Sequence, residues 1–132
     1  MKKVKNLLII SLGSIGIKHL KILRLIRPEI KIYTLRKEKN KKFKFHKEIN
    51  GTFINLNEAI KFGIDAAIIS SPCNLHIEQS IKLSQYKIPL LIEKPLSNNL
   101  DECFELLELV EKENNIILIG YVLRHKSILN KF

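Results

Sequence analysis

Cysteine is nearly absent from this 132-residue chain, tryptophan is missing and there is one methionine. The two cysteines, Cys73 and Cys103, lie far apart and outside any paired-thiol or metal-ligand spacing. That usage suits a reducing compartment, so the expected location is cytoplasmic. His19, His46, His76 and His125 show no short ligand spacing either, so no metal site is expected. No apolar run reaches the roughly 18 to 20 residues that cross a bilayer, which argues against a membrane partner. Acidic residues are scarce, 13 against 23 basic ones, for a net charge of +10. A basic balance of this size can mark an anionic partner, nucleic acid included. Nearly all the excess is lysine, however, alongside abundant isoleucine and asparagine, and compositional bias explains it without a ligand. No helix-turn-helix or aromatic stacking pattern is present, so a nucleic-acid partner is not expected.

What remains is the length of one domain, with 45% apolar residues. The start has some features of an export signal: Lys2, Lys3 and Lys5 before the apolar Leu7 to Leu12, then small residues. No Ala-x-Ala-like site follows, and the next segment is amphipathic, which favours a folded start.

Apolar runs alternate with helical periodicity along the whole chain. Leu7 to Ser11, Ile30 to Leu35, Thr52 to Ile54, Ile64 to Ser70, Ile88 to Glu93 and Ile116 to Gly120 read as six strands. From Ser14 to Pro28, Ile17, Leu20, Leu23 and Ile26 form one stripe, while Lys18, Lys21, Arg24 and Arg27 form a solvated one. Asn57 to Phe62 is a short helix capped by Asn55 or Asn57, and Asn74 to about Tyr86 is another. Asn98 precedes the last helix, with Asp101 three positions on as a weak capping box. The basic segment Arg36 to Lys47 reads as a solvated loop or frayed helix, anchored by Phe43 and Phe45. Strands apolar on both faces and alternating with helices predict an α/β fold: a doubly wound parallel sheet with helices on both faces.

Between the first strand and the first helix stands Ser11-Leu12-Gly13-Ser14-Ile15-Gly16. This is the place and spacing of the dinucleotide fingerprint G-x-G-x-x-G. Gly13 would let the backbone approach a pyrophosphate, Gly16 would let helix and strand pack closely, and the helix N-terminus would offer free N–H groups to the anion. Ser11 departs from the fingerprint, because serine adopts a positive φ less freely than glycine. Where the fingerprint wants a carboxylate for the ribose, the chain has Arg36 and Lys37. That pair suits a 2′-phosphate or stacks on adenine, tilting the expected cofactor from NAD toward NADP; the bland alternative assigns both to the lysine excess.

The turn "LGSIGIKHL", the Pro-x-x-x-His of Pro72 to His76 and the triplet Glu93-Lys94-Pro95 form an ordered set, each placed at a strand end. In these motifs the chain resembles the N-terminal nucleotide-binding domain of the Gfo/Idh/MocA oxidoreductases. The resemblance implies a Rossmann fold over residues 1–120 and hydride transfer between a nicotinamide and a hydroxyl-bearing carbon of a sugar, cyclitol or related compound. By it, Lys94 is the catalytic lysine beside nicotinamide and substrate hydroxyl, against the alternative of one more surface lysine. Ser11, Gly13, Ser14, Ile15, Gly16, Arg36, Lys37, Ser71, Pro72, His76 and Glu93 are then the cofactor-binding set. His76 has the alternative of a helix-face histidine satisfied by neighbours, and Pro95 is expected to follow a cis peptide.

The family continues into a second, substrate-binding domain, of which residues 121–132 read as a truncated start. The expectations are therefore a dinucleotide-binding domain incompetent by itself, with a separately encoded substrate domain as a candidate partner, or a non-catalytic nucleotide-binding or regulatory module.

Overall fold

The computed structural model describes residues 3–36 and 44–121. Lys37 and Phe43 of the basic segment, and residues 122–132, lie outside the described residues.

Six strands form a single parallel sheet: β1 (Asn6–Ile10), β2 (Lys31–Leu35), β3 (Gly51–Phe53), β4 (Ala66–Ile69), β5 (Leu90–Ile92) and β6 (Ile117–Ile119). Their order across the sheet is β3-β2-β1-β4-β5-β6, so the chain reverses its direction of travel between β1 and β4. In such sheets the crevice outside the carboxyl ends at that reversal is where ligands bind. β1, β4, β5 and β6 end on the last apolar residue of each run, one position short of the expected ends at Ser11, Ser70, Glu93 and Gly120. Ser70 donates its backbone N–H to the Ile10 carbonyl at 3.1 Å, and neither residue is followed by further pairing between β1 and β4.

Alternation along each strand divides the core. Leu8, Ile10, Ala67, Ile69, Leu90 and Ile92 point to one face, covered by α2 (Leu56–Phe62), α3 (His76–Ser84) and α4 (Leu100–Glu113) through Ala59, Ile77, Leu83 and Leu106. Leu7, Ile9, Ile32 and Ile68 point to the other, covered by α1 (Ser14–Ile26) through Leu20 and Leu23. Phe45, on the turn that follows the undescribed stretch, packs against the second cluster, as its anchoring role requires. The cover on that face runs out toward β6. In the register Ile9, Ile68, Leu91, Leu118 across four strands, the first two are buried and Leu118 is 62% exposed.

Two local expectations shift. The last helix is capped by Asn99, not Asn98: its Oδ1 accepts from the Asp101 N–H at 3.0 Å, while Glu102 accepts from Asn99 Nδ2 and Ser97 Oγ. Arg24 is not simply solvated. Its guanidinium donates to the carbonyls of Glu48 and Ile30, each at 2.7 Å, and to Asn50 Oδ1 at 2.9 Å, tying α1 to the approaches of β2 and β3. Partial burial lowers its pKa, an effect that the nearby Glu48 carboxylate opposes.

Candidate functional site

The crevice at the reversal point is a cleft of about 600 Å³, lined on the β1 side by Ser11, Leu12 and Gly13. Thr34, Leu35 and Arg36 bring in the end of β2, and Ser71, Pro72 and Gln79 form the wall beyond β4. Ser11, Gly13, Arg36, Ser71 and Pro72 thus come together in one concavity.

The geometry of the turn explains each small residue. Ser11 has φ +72°, the left-handed region that the first fingerprint glycine ordinarily occupies. Ser70 Oγ lies 2.9 Å from both the Ile10 and Ser11 carbonyl oxygens, holding the turn to the end of β4. At Gly13 a Cβ would meet nothing nearer than Ser11 Oγ at 3.8 Å, so this backbone faces open space. At Gly16 a Cβ would fall 2.0 Å from the Ser11 oxygen, so helix and turn touch directly.

Gly13 is also the residue before α1 and has no side chain with which to cap it. The Ile17 N–H reaches the Gly13 carbonyl at 2.9 Å; the amides of Ser14, Ile15 and Gly16 precede it, in the part of a helix that lacks intrahelical acceptors. No acidic residue occupies the first turn of α1. An uncapped helix start without a competing carboxylate, beside an unobstructed glycine, has the free N–H groups and the space that a diphosphate needs. The residues present therefore fit a dinucleotide.

The remaining site residues are not among those that line the cleft: Glu93 and Lys94 follow β5, and His76 opens α3. Lys94 is exposed, and its peptide bond to Pro95 is cis. Glu93 is half-buried, and its Oε1 lies 2.6 Å from His19 Nε2 on α1. His76 is 1% exposed, with Nε2 2.7 Å from the Ser71 carbonyl and Nδ1 3.0 Å from that of Pro95. It backs the cleft wall instead of lining it. Ser71 Oγ donates to Gln79 Oε1 at 2.6 Å, so that wall is also tied to α3.

Ser70, His19 and Gln79 escape the sequence reading. A polar residue closing an apolar strand run is a signal that points to Ser70, and the histidine inside "LGSIGIKHL" is one that points to His19. Among the described residues no group of three or more His, Cys, Asp or Glu is placed to hold a metal, and no helix is long and apolar enough to cross a membrane.

Comparison with known proteins agrees with this fold. Residues 5–121 match the family model described as the oxidoreductase family with the NAD-binding Rossmann fold, Gfo/Idh/MocA. A myo-inositol 2-dehydrogenase of Thermotoga maritima is 28% identical over 116 residues, 86% of this chain and 35% of its own. The crystal structure of a myo-inositol 2-dehydrogenase from Lactobacillus plantarum superposes with a TM-score of 0.85 at 23% identity, over 98% of this chain and 40% of that one. A scyllo-inositol dehydrogenase from Lactobacillus casei, solved with bound NAD(H) and scyllo-inositol, gives 0.80 at 16% identity, over 98% and 39%. This chain spans about two-fifths of the length of those solved relatives.

Proposed function

We propose, from the premise that the chain belongs to the Gfo/Idh/MocA oxidoreductase family with its NAD-binding Rossmann fold, that it binds NAD or NADP across the carboxyl ends of β1 and β4 and serves hydride transfer. The reacting partner is a hydroxyl-bearing carbon of a sugar, cyclitol or related compound. The observation that carries this reading is the cradle itself, where the uncapped start of α1 faces the cleft beside an unobstructed Gly13.

In this reading the amides of Ser14, Ile15 and Gly16 hold the diphosphate, with Ser11 and Gly13 shaping the turn. Arg36, at the end of β2 and on the cleft wall, meets the adenosine ribose; a guanidinium there favours a 2′-phosphate, which supports NADP over NAD. Lys37 belongs to the same assignment. Ser71 and Pro72 wall the cleft toward the nicotinamide, and Glu93 fixes the strand end that bears Lys94. When bound, the nicotinamide supplies the hydride acceptor or donor. Lys94 acts on the substrate oxygen: as ammonium it donates a hydrogen bond, stabilises charge as the C–H bond changes and passes a proton to the oxygen when a carbonyl is reduced, and as the neutral amine it takes the hydroxyl proton when an alcohol is oxidised.

Lys94 is exposed, and hydride transfer needs a positioned substrate and an excluded solvent. Enclosure is therefore assigned to polypeptide beyond the described residues, on this chain or another. A second reading, a nucleotide-binding regulatory module, uses the same cradle without the chemistry. Lys94, just past the end of β5 on the strand next to β4, favours the enzymatic one.

Fluorescence titration of NADH and NADPH tests the cofactor assignment. Enhanced or shifted emission, reversed by ADP-ribose, is expected; emission unchanged by folded protein overturns it.

A further inference from the structure

Lys94 is an exposed side chain on a backbone fixed from both sides of the sheet. Immediately before it, the Glu93 carboxylate meets His19 at 2.6 Å, and His19 belongs to α1 on one face. Glu93 also donates its backbone N–H to the Ile69 carbonyl at 2.9 Å. At the neighbouring strand end, a Cβ on Gly120 would press to 3.1 Å from Glu93 Oε2, so glycine leaves the carboxylate its space. Immediately after Lys94, the Pro95 carbonyl lies 3.0 Å from His76 Nδ1, and His76 opens α3 on the opposite face. The other nitrogen of His76 reaches the Ser71 carbonyl in the cleft wall.

We propose that His19 and His76 are positioning residues for Lys94, clamping the residues before and after it so that the lysine departs from a fixed origin past the end of β5. The argument rests on the role given to Lys94 above. A long side chain searches many rotamers, and fixing its backbone removes the largest displacement from that search. Burial of His76 fits the same purpose, because a buried imidazole is retained at little cost only where its nitrogens find partners. Both its partners are carbonyl oxygens, so the two contacts are hydrogen bonds at once only in the doubly protonated ring, whereas a glutamine amide carries two N–H groups on one nitrogen.

The test uses the full chain, reductively methylated with ¹³C at its lysines, with the Lys94 signal assigned by loss in Lys94→Arg. NADH or NADPH, whichever binds the tighter, is titrated into wild type, His19→Leu, His76→Leu and the conservative His19→Gln and His76→Gln. The wild-type Lys94 signal is expected to move on binding. Each leucine variant should lose about threefold or more of that movement while changing dinucleotide affinity less, and raise amide exchange around Lys94 but not around Gly13. The glutamine variants should regain part of the shift. Leucine variants with wild-type shift and exchange overturn the proposal, as do variants that loosen both segments equally. A wild type that binds no dinucleotide overturns the cofactor reading instead, and exchange around Lys94 then still decides for or against the clamp.

Discussion

A Cβ on Gly16 would lie 2.0 Å from the Ser11 carbonyl oxygen and 2.8 Å from Ser70 Oγ. Helix start, turn and the end of β4 meet there without room for a methyl group. Gly16→Ala must push α1 off the turn, so we expect a loss of about 3 kcal/mol in stability, seen as a lower Tm, together with loss of dinucleotide binding. An alanine variant that melts and binds like wild type would contradict the packing described.

Ser11 holds φ +72° without being glycine. A left-handed conformation costs an L-residue roughly 1 to 2 kcal/mol, part of which a glycine returns as unfolded-state entropy. Ser11→Gly should therefore be neutral to stabilising by up to about 1 kcal/mol, whereas β-branched Ser11→Val should destabilise by at least as much. Denaturant unfolding distinguishes the two signs.

Arg24 donates to two carbonyls and to Asn50 Oδ1, which itself accepts from the Ile32 N–H at 2.9 Å. Arg24→Met keeps the apolar stem and leaves those acceptors short of a donor. A cost of about 2 kcal/mol is expected, whereas the neighbouring Lys18→Met should stay within about 0.5 kcal/mol. Equal midpoints for the two variants would show that the Arg24 contacts contribute nothing.

Arg36 lines the cleft at the end of β2. If it meets a 2′-phosphate, Arg36→Ala weakens NADPH by about tenfold or more and NADH by much less. Parallel losses for both cofactors would remove the preference for NADP.

Lys94 is exposed, and no hydrogen bond or ion pair joins it to another described residue. Lys94→Ala should leave stability within about 0.5 kcal/mol of wild type and dinucleotide affinity nearly intact, while abolishing turnover measured with the substrate-enclosing polypeptide present. An active Lys94→Ala enzyme ends its catalytic assignment.

Much of the fold was legible because parallel strands buried on both faces leave unbroken apolar runs, and six such runs separated by helical periodicity allow few arrangements. The glycine turn was legible for a similar reason: Gly13 and Gly16 answer local demands, one for open backbone and one for close packing. The contacts around it were less accessible. Ser70 reaches the turn because β4 pairs with β1, and His19 reaches Glu93 across two elements far apart in sequence; the local signals mark these residues but not the partners they meet. Arg24 read as part of a solvated stripe because periodicity identifies a helix face but not the loop that folds over it. The cap moved from Asn98 to Asn99 because adjacent asparagines offer the same chemistry, and only the backbone chooses between them.

The contact between Gly16 and the Ser11 carbonyl also bears on how a ligand arrives. With the helix seated directly on the turn and Ser70 holding the turn from the next strand, the anion cradle is preorganised. A diphosphate docking there would sacrifice little chain entropy, and its recognition is expected to proceed by rigid capture instead of folding around the guest.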